Sequence, residues 1–278
     1  MLPHRAGRKR APWIVVALGL AVALAVTVLY YRRTPDTAAE VRLDINTPPT
    51  TDPVSFAISP DARKLVFIAT VDGQPQLWLR PLGSTTAEPI ADTDGASFPF
   101  WSPDSRSIGF FAGGMLKRAD IVGGATQTLA SAPTGRGGAW STDGVILFAP
   151  TNGSMLYRVS AAGGEAVPVT HADGGQTIHR FPHFLPNGRH FLFLVPGTTA
   201  GRGVYVGSLD SSEQRRLFDA DAAAVFLPPK YILFMRQGTL FAQRFDTRKL
   251  ETVGEPFAVA DQVAFDPITF KEGFQHLQ

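Results

Sequence analysis

The chain has 278 residues, with 26 Lys and Arg against 24 Asp and Glu, 27 Gly, 22 Pro, no Cys and 44% apolar residues. Gly and Pro stand well above average use while apolar content is ordinary, which excludes a disordered chain and a helical bundle and points to a turn-rich protein with a real core. The net charge of +2 does not indicate a nucleic-acid binder: six basic and no acidic side chains fall in residues 1–33, leaving 20 basic against 24 acidic from Thr34 onward.

In chain order, residues 1–10 read as a short basic tail and residues 11–31 (APWIVVALGLAVALAVTVLYY) as a transmembrane helix without a charge. Twenty-one residues at 1.5 Å each cover roughly 30 Å, the thickness of a hydrocarbon core. Trp13 and Tyr31 mark its two ends at interfacial positions, and Pro12 suits a first helical turn. Arg5, Arg8, Lys9 and Arg10 precede the span while Arg32 and Arg33 follow it, a bias that places the N-terminus in the cytoplasm and exports the rest. A cleavable signal peptide is the competing reading, with 21–23 or 23–25 as a cleavage motif; the apolar run continues past both sites, which favours a retained anchor. The expected location is therefore the inner membrane, single-pass, with the bulk of the chain extracytoplasmic or periplasmic. Residues 32–40 read as a linker.

From residue 41 to 266 the sequence repeats. FAISPDARKLVF at 56–67 returns as PFWSPDSRSIGFF at 99–111, AWSTDGVILF at 139–148, HFLPNGRHFLFLV at 183–195 and VFLPPKYILFM at 225–235. Ile58, Trp101, Trp140, Phe184 and Phe226 fill one slot at spacings of 43, 39, 44 and 42, and each copy ends its apolar run on Phe: Phe67, Phe110, Phe148, Phe193 and Phe234. Two further short segments complete each copy, so a repeat holds four strand-like pieces separated by turns. Four-stranded units every forty-odd residues define a β-propeller, whose blades stack apolar faces around a channel. The turn after the aromatic slot has a physical basis: Pro60, Pro103 and Pro186 fix φ, Asp61, Asp104, Asp143 and Asn187 bond their own backbone, and Gly144 and Gly188 supply positive φ where Ala62 and Ser105 substitute in the first two copies.

Residues 41–46 (VRLDIN) alternate like an edge strand and are surplus to five blades, and residues 262–266 (QVAFD) look like the inner strand of another repeat before residues 267–278 leave the pattern. The expectation is an all-β propeller of four-stranded blades, five repeats visible in an incomplete six-bladed ring, preceded by one transmembrane helix.

Trp101-Ser-Pro103-Asp104 and its degraded form Trp140-Ser-Thr-Asp143 resemble the turn of TolB-like, WD-type propeller repeats. The resemblance covers residues about 40–265 and is closest to the extracytoplasmic propellers of bacterial receptor-like serine/threonine kinases. It implies a non-catalytic protein-docking or sensing module for a cell-envelope protein or ligand, and commonly six blades. No kinase motif accompanies it: His179-Arg180 is followed by Phe181 where a catalytic loop needs Asp. Alternative readings are the C-terminal part of such a kinase, or the propeller of a prolyl oligopeptidase-like peptidase without its hydrolase domain.

Other chemistry is weak. His179 and His183 are four apart, a ligand pair on a helix, yet Pro182 and strand-like surroundings place them about 13 Å apart. The recurring Asp61, Asp104 and Asp143 have a structural reason in their turns. Gly95-Ala-Ser97-Phe-Pro99 fails as a nucleophile elbow. The loop Thr134-Gly-Arg136-Gly-Gly138 is a candidate anion nest that does not lead into a helix, and Arg202, Arg215 and Arg216 read as solvated charges. No catalytic residue, metal, cofactor or nucleic-acid partner is expected, and no ligand contact is assigned; the loops 72–76, 134–138, 172–177 and 196–203 have most freedom to form a contact surface.

Overall fold

Alternating β-branched and aromatic residues between Pro, Asp and Gly turns build five successive antiparallel meanders in a computed structural model that describes residues 19–24, 48–50, 52, 54–172, 177–197, 201–261, 263, 265–266 and 271–272. Blade 1 comprises β1 (Phe56–Ile58), β2 (Lys64–Val71), β3 (Gln74–Pro81) and β4 (Glu88–Pro89). Blade 2 comprises β5 (Ser97–Trp101), β6 (Ser107–Ala112), β7 (Met115–Asp120) and β8 (Gln127–Ser131). Blade 3 follows with β9 (Gly138–Trp140), β10 (Val145–Phe148), β11 (Tyr157–Ser160) and β12 (Val167–Pro168). Blade 4 holds β13 (Arg180–Phe184), β14 (His190–Val195), β15 (Gly203–Ser208) and β16 (Gln214–Phe218), and blade 5 β17 (Val225–Leu227), β18 (Tyr231–Arg236), β19 (Thr239–Asp246) and β20 (Glu251–Asp261).

The innermost strands β1, β5, β9, β13 and β17 touch their neighbours in turn, and the core lies between blades. Ala57, Val66, Ile68 and Leu77 of blade 1 pack on Trp101, Ile108 and Phe110 of blade 2. Phe100, Phe111 and Leu116 meet Ile146, Phe148 and Val159 of blade 3, Leu147 and Leu156 meet Phe191 and Phe193 of blade 4, and Leu192, Val204 and Val206 meet Phe226, Ile232 and Phe234 of blade 5. Most of these side chains are fully buried, each worth roughly 1.5–3 kcal/mol of transfer free energy. Trp101 is the largest of them, and its indole N–H donates to the Ala57 carbonyl across the blade interface (3.0 Å), so the ring is buried without an orphaned donor.

The expectation of a six-bladed ring is corrected to five blades. The segment read as the start of another blade forms β21 (Phe265–Asp266), which pairs with β22 (Lys271–Glu272) in a two-stranded hairpin instead of opening a four-stranded sheet. The repeat register ends there because residues 267–278 lack the apolar run that would pair as a second blade strand. The surplus strand at 41–46 lies outside the described residues, as do the tail at 1–10, Trp13, Tyr31 and the linker at 32–40. Of the expected membrane span, residues 19–24 are described; they are helical, with Leu20, Val22 and Leu24 exposed. Among the described residues no helix is long and apolar enough to cross a membrane.

Candidate functional site

Each inner strand runs into the same turn, and the five turns meet at one end of the channel. Pro60, Pro103, Thr142, Pro186 and Pro228, the equivalent position of blades 1 to 5, line a single cavity of about 260 Å³. Its floor is Ala139, Trp140, His183, Phe184 and Phe226, so polar groups are few: Ser141, Thr142 and the His183 ring.

The turn residues are held by local bonds. Ser102 Oγ donates to Asp104 (2.6 Å) and accepts the Ser107 N–H (2.8 Å), while Asp104 accepts the Arg106 N–H (3.1 Å). Ser59 and Asp61 repeat this around Arg63 and Lys64, and Ser141 accepts the Val145 N–H. Asn187 accepts from the Arg189 and His190 N–H groups (3.0 Å each). Hydrogen bonds from Ser59 and Ser102 lower the pKa of Asp61 and Asp104, keeping both ionised within the turn. Gly144 and Gly188 have positive φ (77° and 64°), and Ala62 and Ser105 adopt the same region (53° and 59°) at a strain cost that Gly avoids.

Neighbouring turns also touch: the Asp61 N–H donates to Ser105 Oγ (3.1 Å), and Arg189 approaches Asp143 at 4.0 Å. The aromatic slot is not uniform. Trp101 is sealed between blades, whereas Trp140, Phe184 and Phe226 reach the cavity and Arg118 lies over the Trp140 ring at 5.6 Å. Repeat spacing identified the turns; it could not show that their prolines share one cavity.

The opposite end of the channel is built by the connectors entering each inner strand. Phe98, Gly137 and Phe181 occupy one repeat position in blades 2, 3 and 4, all with positive φ (49°, 83°, 49°), and they border a tight space of about 30 Å³. The glycines of the 134–138 loop have a packing reason rather than an anion nest: a Cβ on Gly135 would lie 2.1 Å from the Phe111 ring, and one on Gly138 2.4 Å from Phe100. The loop's N–H groups are also engaged, Thr134 with Pro150 and Arg136 with Ala149. Parts of the loops at 172–177 and 196–203 lie outside the described residues.

The two histidines are separated in role. His179 Nδ1 bonds Thr170 Oγ1 (2.8 Å) and its ring packs on Phe193, while His183 lies in the channel between both cavities. Burial pushes each down to about 4, so both are neutral at physiological pH. Ser97 Oγ donates to the Phe111 carbonyl inside blade 2. Arg202 is not simply solvated: it forms a two-point pair with Asp219 (3.0 Å each) and approaches Asp221 at 3.4 Å, with Arg216 at 3.8 Å from Asp219. Arg215 donates to the Leu250 carbonyl. Among the described residues no group of three or more His, Asp or Glu side chains is placed to hold a metal ion.

Five four-stranded meanders with contacting inner strands define the class as a β-propeller, and its fold is TolB-like. Solved structures similar to it include TolB from Acinetobacter baumannii (TM-score 0.59, 16% identity, 74% of this chain and 54% of that one). Hydrazine synthase from Kuenenia stuttgartiensis is similar at TM-score 0.58 and 16% identity over 84% of this chain and 75% of the other. An oligogalacturonate lyase solved in complex with manganese gives TM-score 0.52 and 16% identity over 76% and 67%. The chain thus spans about half the length of the TolB structure it matches. No family model and no curated protein matches the sequence. Likeness at 16% identity establishes the fold and leaves activity to the site.

Proposed function

We propose that the chain is a membrane-anchored, extracytoplasmic binding module, non-catalytic, whose proline-turn mouth receives an apolar side chain of a cell-envelope partner protein. The observation carrying this reading is the convergence of five equivalent turn residues on one apolar cavity with an aromatic floor. Concave apolar sites with few polar groups are where ligands and hot-spot side chains bury. The recurring carboxylates are occupied within their turns, which leaves them poorly placed as acid or base. Anchoring and export rest on the uncharged run at 11–31 and its flanking Lys and Arg bias.

A photo-crosslinking residue at Thr142 of the full-length chain tests the binding reading in cells. A discrete adduct at Thr142, absent when the probe sits at exposed Glu165, is the expected result; equal labelling at both sites, or none at Thr142, removes the proposal. Alkaline phosphatase fused after Gln278 should be active if the propeller is exported, and inactive fusions would overturn the topology.

A further inference from the structure

Arg136 and Arg180 each sit four residues before the aromatic slot of their repeat, Trp140 and Phe184, so they occupy one position in neighbouring blades. The Phe181 N–H donates to the Arg136 carbonyl (3.2 Å), which fixes the two connectors side by side. Their guanidinium groups therefore lie at the same end of the channel, away from the proline turns. Arg180 is only 8% exposed and donates to the Asn152 carbonyl at 2.7 Å. Arg136 is half-buried, lies over the Phe98 ring at 5.6 Å and donates from Nη1 to the carbonyls of Thr134 and Gly135. Its Nε is buried without a hydrogen-bond partner, and among the described residues no carboxylate pairs with it. Phe98 and Phe181, 5.8 Å apart, form the aromatic wall beside them.

Two further observations set this end apart. Burial lowers the pKa of both arginines, and the Arg136 charge lowers Arg180 further, so two cations are held together out of water. Nearby arginines are treated differently: Arg202 has Asp219 and Asp221. Phe98 and Phe181 are also held at positive φ, a costly conformation for an aromatic residue that tends to persist where function requires it.

We propose that this arginine mouth binds a carboxylate, from an acidic side chain or a peptide C-terminus. Planar guanidinium groups accept a carboxylate in a two-point geometry, and desolvated surroundings strengthen the bond. The 30 Å³ space beside Phe98 and Phe181 admits a group of one or two water-sized positions, which matches a carboxylate and excludes a larger anionic headgroup.

The test uses the full-length chain in detergent at constant ionic strength, read by thermal shift and by titration calorimetry. N-acetylglutamate α-amide presents a side-chain carboxylate and N-acetylglycine a C-terminal one; sulfate is the third arm. Stabilisation by one or both carboxylates, stronger than by sulfate and weakened at least fivefold in Arg136→Gln, is expected. The exposed Arg158→Gln should behave as the parent. Arg136→Lys, which keeps the charge and the fold, should still weaken the carboxylate at least threefold because the fork is lost. No stabilisation in any arm, equal stabilisation by sulfate, or an unchanged response in both Arg136 variants overturns the proposal.

Discussion

The two ends of the channel are made by different means. The proline-turn mouth is assembled from one tetrapeptide used five times, with Ser and Asp side chains bonding the turn and Pro or Thr facing the cavity. The arginine mouth is assembled from connectors of unequal length, held by phenylalanine rings seated against glycines and by residues at positive φ. The first end tolerates sequence drift, since Ala62, Ser105 and Thr142 depart from the pattern and the turns still form. The second has no such slack, because rings and backbone are in direct contact.

The largest expected effect strikes the interface behind the turns. Trp101→Ala removes a fully buried indole and its hydrogen bond, and should cost about 3–5 kcal/mol, seen as a lower urea midpoint. A cost near that of an exposed substitution would show that blades 1 and 2 do not depend on this slot.

Acid should act next, through the channel between the mouths. His179 and His183 are held near 4 in the folded protein against an ordinary 6.5. Between those values the unfolded chain takes up protons that the folded one refuses, so stability falls as pH falls from 6.5 to 4 and then levels for these groups. Each contributes about 3 kcal/mol across that window. The lowered carboxyls Asp61 and Asp104 act in a separate window, losing their contribution as pH falls below their ordinary 3.8. His183→Gln should flatten the pH 4–6.5 slope in urea titrations; an unchanged slope would refute the assignment.

Gly138→Ala probes the arginine end, where the new Cβ meets the buried Phe100 ring. Overpacking there should cost about 1–3 kcal/mol, whereas Gly144→Ala in the turn, with open space around its Cβ, should cost about 1 kcal/mol through φ alone. Equal costs would erase the contrast between the two ends. Asp104→Ala should cost about 1 kcal/mol by freeing the Arg106 N–H and the Ser102 hydroxyl, measured in the same titration. The smallest effect is a gain: Thr142→Pro restores the residue of the other four blades and should stabilise by roughly 0.5 kcal/mol through a stiffer unfolded chain.

Much of the fold was legible because a blade is a local object. Turn chemistry, apolar runs and the aromatic slot recur within each forty-residue unit, and the observed strands β2, β6, β10, β14 and β18 fall on the apolar runs read from the sequence. The blade count was misjudged because residues 262–266 imitate an inner strand locally, while their partner is the short β22. The Gly-rich loop was misread for a related reason: Gly135 and Gly138 are small because Phe111 and Phe100, distant in sequence, occupy the space a side chain would need. Arg202 looked solvated until Asp219 was brought within 3.0 Å of it.

The sequence by itself determined the repeat, its turn and its four-stranded unit, since hydrogen bonding and φ preference act over a few residues. Only the tertiary structure decided that five turn residues enclose one cavity, that His183 stands between two mouths, and that Arg136 and Arg180 become neighbours. Those relations depend on how blades stack around an axis, and stacking is set by burial between units that no single unit can encode.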